Sequence, residues 1–300
     1  MPRPLVLFLR IVAPAFLVPA WLPVHARRAA FIVKGTFSLA TDAPAVPADE
    51  GEAPEGDSDF APVKLRTDLF VRGTCHAPNG RPVDVCPVGF RVASFTRALL
   101  AHGTSFVRLP LAEARLEDPR HPGRPAAIAP IPLSDRIARA GGSPGRDWQW
   151  PWLPDDFDRG AFNAAPPEQQ IPSFLRGDEE LAFENLHPQK PQFRSRLPGL
   201  RVRCFLEDGT FREVPLVLDT LTADLDERTL WLVWRGQADV PSLGLDETRH
   251  LYLAVENLAD PPASRERHHE GLAAALAAPD PEFEAEVETA WPGEPSEALE

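Results

Sequence analysis

Residues 200–219, LRVRCFLEDGTFREVPLVLD, decide how the rest of the chain reads. Leu200, Val202, Cys204 and Leu206 alternate with Arg201, Arg203 and Phe205, the two-residue period of a strand with one buried face. Asp208-Gly209 follows, a pair suited to the tight turn of a hairpin. Phe211–Asp219 then returns as the second strand. The face carrying Arg201, Arg203 and Phe205 is either wet or covers a partner.

The same signals recur outward from this hairpin. Phe31–Leu39 is a strongly apolar strand, and 40–62 is an acidic loop rich in Pro and Ala. Residues 68–78 and 82–93 flank Asn79-Gly80, a second hairpin signal. Its register predicts Leu69 opposite Phe90, Val71 opposite Val88, Gly73 opposite Cys86 and Cys75 opposite Asp84. Cys75 and Cys86 then become diagonal neighbours roughly 7 Å apart at their α-carbons, beyond a comfortable disulfide. They read as buried thiols of a reducing compartment. Ser105–Leu109, Ala126–Pro132, Thr229–Arg235 and Arg249–Glu256 complete the predicted strands. Ser134–Ala140 reads as a short helical turn before Gly141-Gly142. Ser264–Ala278 is the one good helix, capped by Ser264, with Leu272 and Leu276 on a narrow apolar stripe. That stripe predicts weak docking or an awaited partner.

The expected fold is therefore mainly β, an antiparallel sandwich or barrel-like body with long Pro-rich aromatic loops. One short C-terminal helix and an acidic tail complete it. The expected organisation is an N-terminal strand or arm (1–29), a β-rich domain (30–258) with a break near 140–150, and helix plus tail (259–300).

Composition narrows the partners. The chain has 300 residues, enough for a substantial core, and its 35 prolines are more than twice the average usage of about 5%. A net charge of −13 argues against nucleic acid, which demands clustered Lys and Arg. Residues 279–300 alone carry eight Asp or Glu and no Lys or Arg, and read as a disordered tail. Lysine occurs at positions 34, 64 and 190 alone. The N-terminal run MPRPLVLFLRIVAPAFLVPAWLPVHA ends in a small-x-small pattern that mimics an export signal over residues 1–26. Arg10, Pro14, Pro19 and Pro23 break its apolar stretch, so a first strand and arm is the preferred reading and a membrane-spanning helix is not expected. The corresponding location is cytoplasmic, with export as the alternative.

Residues 148–187 hold three Trp and four Phe among charged residues and prolines. Prolines at 151, 154, 166, 167 and 172 exclude a long helix. Trp148, Trp150 and Trp152 share one face if that stretch is extended, as a lid over the core or an exposed interaction stripe. With Phe157, Phe162, Asn163, Gln169 and Gln170 they are the candidate partner-binding residues. Acids between Asp155 and Glu180 allow a paired-carboxylate hydrolase, which would need two of them about 5–10 Å apart across a cleft. The simpler reading is that these acids cap turns. His268-His269 are adjacent on a helix and cannot chelate one metal together; both read as solvated. Cys75 and His76 fall on opposite strand faces, excluding a nucleophile–base pair. Glycine-rich phosphate loops and nucleophile elbows are not found. These residues call for neither a metal nor a cofactor.

Several stretches resemble the bacterial family known as domain of unknown function 2169. They are Trp152–Asp158, Phe162–Gln170 (FNAAPPEQQ) and Gly177-Asp178-Glu179. Flanking matches are Val33-Lys34-Gly35-Thr36-Phe37, Thr67-Asp68-Leu69 with Gly73 and Ala77-Pro78, Leu218-Asp219-Thr220 and Trp234-Arg235-Gly236. The likeness spans about 30 to 240, with Gly103–Gly142 shortened and altered. Members of that family are encoded beside type VI secretion spike genes. The resemblance implies a non-catalytic, cytoplasmic adaptor or chaperone that holds an effector or PAAR-type tip domain for loading onto the spike. A carbohydrate- or peptidoglycan-active hydrolase and an exported binding module are the alternatives.

Overall fold

The computed structural model describes residues 9–25, 28–48, 61–140, 157–240 and 249–277. The chain opens with β1 (Leu9–Val12), β2 (Leu17–His25), β3 (Arg28–Ser38) and the short β4 (Val46–Pro47). Next come β5 (Thr67–Arg72), β6 (Thr74–His76), β7 (Val83–Val92), β8 (Phe95–Phe106), β9 (Arg108–Pro110) and β10 (Arg115–Glu117). Helix α1 (Leu133–Arg139) precedes β11 (Gln170–Ile171), β12 (Glu180–Glu184) and β13 (Gln192–Arg196). The last stretch contains β14 (Leu200–Glu207), β15 (Phe211–Val214), β16 (Val217–Asp224), β17 (Thr229–Asp239), β18 (Arg249–Asn257) and helix α2 (Arg265–Ala277).

The fold is mainly β, and its described strands form open sheets rather than a closed barrel. The central sheet runs β11-β5-β16-β17-β3-β2, with β4 added to β3. A second sheet runs β10-β8-β7-β12-β13 and a third β1-β18-β14-β15, while β6 and β9 pair alone. Most pairs are antiparallel, but β1–β18 and β5–β16 are parallel. Pro19 and Pro23 sit on β2, which pairs with β3 alone among the described strands; proline is tolerated there because an edge has ladder positions that need no donor.

One continuous core joins the three large sheets. Phe31, Val33, Leu69, Leu221 and Leu232 of the central sheet meet Val88, Leu99, Phe183 and Phe193 of the second and Cys204, Leu206 and Leu251 of the third. The other face of the central sheet is buried as well: Ala30 and Ile32 are as inaccessible as Phe31 and Val33. Two covered faces explain why β3 opens on an unbroken apolar run, Ala29–Val33.

The hairpin at Asp208-Gly209 forms as expected, β14 pairing with β15 from Cys204↔Val214 to Glu207↔Phe211. Its second strand ends at Val214, because β16 leaves for the central sheet. The expected hairpin around Asn79-Gly80 does not form. The chain turns at Pro78–Gly80, but β5 pairs with β16 and β11, β6 with β9, and β7 with β8 and β12. Tertiary partners thus outcompete the local pairing that the turn favours, and the separation deduced for Cys75 and Cys86 falls with it. Ala126–Pro132 is irregular rather than a strand.

Helix α2 also departs from expectation. Ser264 caps it, accepting from the Arg267 N–H at 3.3 Å, but the helix does not stay loose. His268 and Leu272 are buried, and the His268 ring lies 4.7 Å from that of Phe205. The polar-looking face of β14 is therefore what the helix covers.

Candidate functional site

Four of the family-like stretches, those around Asp68, Asn163, Asp219 and Arg235, converge under one face of the central sheet. Asp68 on β5 is the hub. Its Oδ2 accepts from Lys64 Nζ at 2.7 Å and from the Ala164 N–H at 2.8 Å. Its Oδ1 accepts from Asn163 Nδ2 at 3.0 Å and from the Ala165 N–H at 3.2 Å. Lys64 Nζ also donates to Thr220 Oγ1 at 2.7 Å, and that hydroxyl donates to Asp219 Oδ1 at 2.9 Å. Arg235 closes the chain, its Nε donating to Asp219 Oδ2 at 2.6 Å and its Nη1 to the Ala61 carbonyl. Every one of these side chains is buried. Two cations face two carboxylates, so the cluster is formally neutral, which burial in a low-dielectric interior demands.

Local structure places each member. The register of β16 shifts between Leu218 and Thr220. This irregularity leaves Leu218 in the core and brings Asp219 and Thr220 together on the polar side, as bulges re-aim side chains. Gly236 is required by close approach: a Cβ there would lie 2.2 Å from the Pro215 carbonyl oxygen. Ala164 and Ala165 pack on Phe70; their small side chains let two backbone N–H groups reach one carboxylate.

The cover is stitched on by further bonds. Asn163 Oδ1 accepts from the Leu65 N–H and its Nδ2 donates to the Arg66 carbonyl. Gln169 Nε2 donates to the Leu69 carbonyl at 2.8 Å, and Gln170 Nε2 to the Ala165 carbonyl at 2.8 Å. Thr67 Oγ1 reaches the carbonyls of Ser173 and Leu218. Arg136 on α1 donates to the carbonyls of Ile131 and Ala161, tying that helix to the same layer.

Of the partner-binding candidates, Phe162, Asn163 and Gln169 are buried and turned inward, where Asn163 and Gln169 bond the sheet. Gln170 and Phe157 are half-buried, Phe157 with its ring 5.4 Å from that of Phe162. Trp148, Trp150 and Trp152 lie outside the described residues, as do Asp155 and Asp156. Four of the remaining acids in the hydrolase alternative, Asp158, Asp178, Glu179 and Glu180, have partners. Asp158 accepts from the Gly160 N–H, and Glu179 from the Arg176 and Gly177 N–H groups. Asp178 pairs with Arg176, and Glu180 with Arg91 and Arg196. Among the described residues, no group of three or more His, Cys, Asp or Glu is arranged to hold a metal ion, and no helix is long and apolar enough to cross a membrane.

Sequence reasoning passes over Lys64, although its rarity is a signal: one of three lysines in the chain is fully buried. It also passes over a second charged centre beneath α2. Glu256 on β18 accepts from Arg201 at 2.8 Å, Arg203 at 3.2 Å and the Ala263 N–H, and pairs with His268 Nε2 at 2.7 Å. Burial pushes the Glu256 carboxyl up, but the bonds from Arg201, His268 and Ala263 outweigh it and hold the group below the ordinary glutamate range. His268, expected to be solvated, is instead the buried contact of the helix.

The match to a family model has two overlapping parts, residues 25–121 and 100–235. No curated protein and no solved structure matches the chain. With nearly the whole β-rich region covered, and with every member of the buried cluster inside the match, the chain belongs to domain of unknown function 2169, described as an uncharacterized protein conserved in bacteria.

Proposed function

We propose that this chain is a non-catalytic adaptor or chaperone that binds another polypeptide. In the setting its family resemblance implies, the partner is a type VI secretion effector or PAAR-type tip domain, held in the cytoplasm before loading onto the spike. One observation carries the reading: the polar residues of the family motif bond to one another and to backbone, deep under a sheet. Such a cluster serves to fix a segment rigidly, as a binding surface requires. The segment it fixes includes Phe162–Gln170, which follows the tryptophan-bearing run in the sequence.

Exposed apolar side chains flank the anchor. Leu65, Phe174 and Val217 are 52%, 39% and 38% exposed. Each adjoins a group bonded within the cluster: Leu65 donates its N–H to Asn163, Phe174 follows Ser173, and Val217 precedes Leu218. Apolar groups held on rigid backbone beside a polar surround are suited to protein contact.

The test is co-expression with the effectors and PAAR-type tips of the same bacterium, followed by size-exclusion with light scattering. A defined complex is expected, weakened roughly tenfold or more by Leu65→Asp with Phe174→Asp while the melting temperature holds. If no such protein forms a complex with the intact chain, the reading is wrong.

A further inference from the structure

Cys75 and Cys86 present an unused pair of nucleophiles. Cys75 lies on β6 opposite Leu109 of β9, and Cys86 lies on β7 opposite Ala101 of β8. The turn at Pro78–Gly80 folds the first strand back toward the second. Both side chains are fully buried in the same core. The Cys86 sulfur lies 3.7 Å from the His76 carbonyl oxygen, which belongs to the residue after Cys75. It therefore sits against the backbone of β6 itself. The closeness of the two thiols raises that of Cys75 and lowers that of Cys86. The hairpin register that would have held them apart does not exist in the fold.

We propose that Cys75 and Cys86 are a cross-linking site, joined by thiol–disulfide exchange with a small-molecule disulfide such as oxidised glutathione. The Cys86 thiolate attacks one sulfur of that disulfide, forming a mixed disulfide and expelling a glutathione thiolate. The Cys75 thiolate then attacks Cys86 Sγ, closing the protein disulfide and expelling the second glutathione thiolate. Two electrons pass from the cysteine pair to glutathione, and the two thiol protons end on the two glutathiones released. Cys86 is the better first nucleophile, because the neighbouring Cys75 lowers its thiol while that of Cys75 is raised. Burial makes the exchange slow in the closed fold, so it proceeds through opening of the exposed turn at 78–80 and is read as an equilibrium. Cys204 is completely buried, and burial pushes its thiol upward; it stays reduced.

The site does not depend on the adaptor reading. Its test is equilibration of the full chain in glutathione redox buffers with sub-denaturing urea, approached from the reduced and the oxidised side. Denaturation and alkylation then count the thiols. Three reactive thiols in the reduced protein should fall to one, with an intact mass roughly 2 Da lower. Peptide mapping should link Cys75 to Cys86, and the melting temperature should rise by roughly 5 °C. Cys204→Ser should keep the cross-link, and Cys75→Ser or Cys86→Ser should abolish it. Three thiols at every redox ratio, or a bond that includes Cys204, would overturn the proposal.

Discussion

Two covers lie on sheets in this molecule, and both are held by charge, but under different conditions. The 157–175 segment is pinned over the central sheet by Asp68, Lys64, Asn163, Asp219 and Arg235, all within a few per cent of full burial. Helix α2 is pinned over β14 and β18 by Glu256, Arg201, Arg203 and His268, with Arg201 a quarter exposed and Glu213, the outer partner of Arg203, two-fifths exposed. In the first case no water can replace a lost partner. In the second, solvent reaches the rim and softens any loss. Similar bonds therefore sit in two settings, one sealed from water and one open to it at the rim.

The sharpest way to break this contrast is Asp68→Ala. It leaves the Ala164 and Ala165 N–H groups without an acceptor and the buried Lys64 ammonium without its carboxylate, and we expect a loss of about 3–5 kcal/mol, read by denaturant unfolding. Lys64→Met added to Asp68→Leu should recover part of that loss, since an apolar pair leaves no unpaired buried charge. Recovery of nothing would mean that the cluster specifies geometry rather than neutralising charge.

A smaller and local effect is expected from Glu256→Gln, about 1–2 kcal/mol, with α2 released while the sheets persist. Hydrogen exchange on 265–277 measures it. Because Glu256 titrates below its unfolded value, its contribution is complete above the ordinary glutamate value of about 4.3 and disappears as pH falls through the lower folded value. The wild type should therefore release the helix in acid, and the Gln variant should have lost that pH dependence.

The smallest effect concerns Gly271. A Cβ there would lie 2.6 Å from Tyr252 Oη, with Tyr252 Cζ next at 3.4 Å. Gly271→Ala gains up to about 1 kcal/mol of helix propensity but collides with the hydroxyl, and we expect exchange protection of α2 to fall slightly. Tyr252→Phe removes the colliding atom, so the double variant should be protected better than the single one.

Several features are legible in the residues alone. The alternation in 200–206, the turn at Asp208-Gly209 and the cap at Ser264 depend on neighbours within a few residues, and all three are found. Asn79-Gly80 shows where that logic stops, because a turn permits a hairpin without compelling it. β5 finds a parallel partner in β16, some 150 residues later in the chain, and β7 finds β8. The aromatic content of 148–187 draws attention to that stretch, yet the residues that anchor its described part are Asn163 and Gln169, whose polar side chains resemble ordinary loop residues in sequence. His268 reads as solvated because its partner, Glu256, lies on a different element.

By itself the sequence determined that this chain is mainly β, where several strands begin and end, and which family it belongs to, because periodicity, turn chemistry and motif spacing are local properties. Tertiary structure alone decided which strands pair, which acids meet which bases, and which side of a half-polar strand is covered. Those outcomes depend on burial, and burial is a property of the assembled chain: a carboxylate such as Asp68 becomes the keystone of a cover when the fold removes its water and supplies four donors instead.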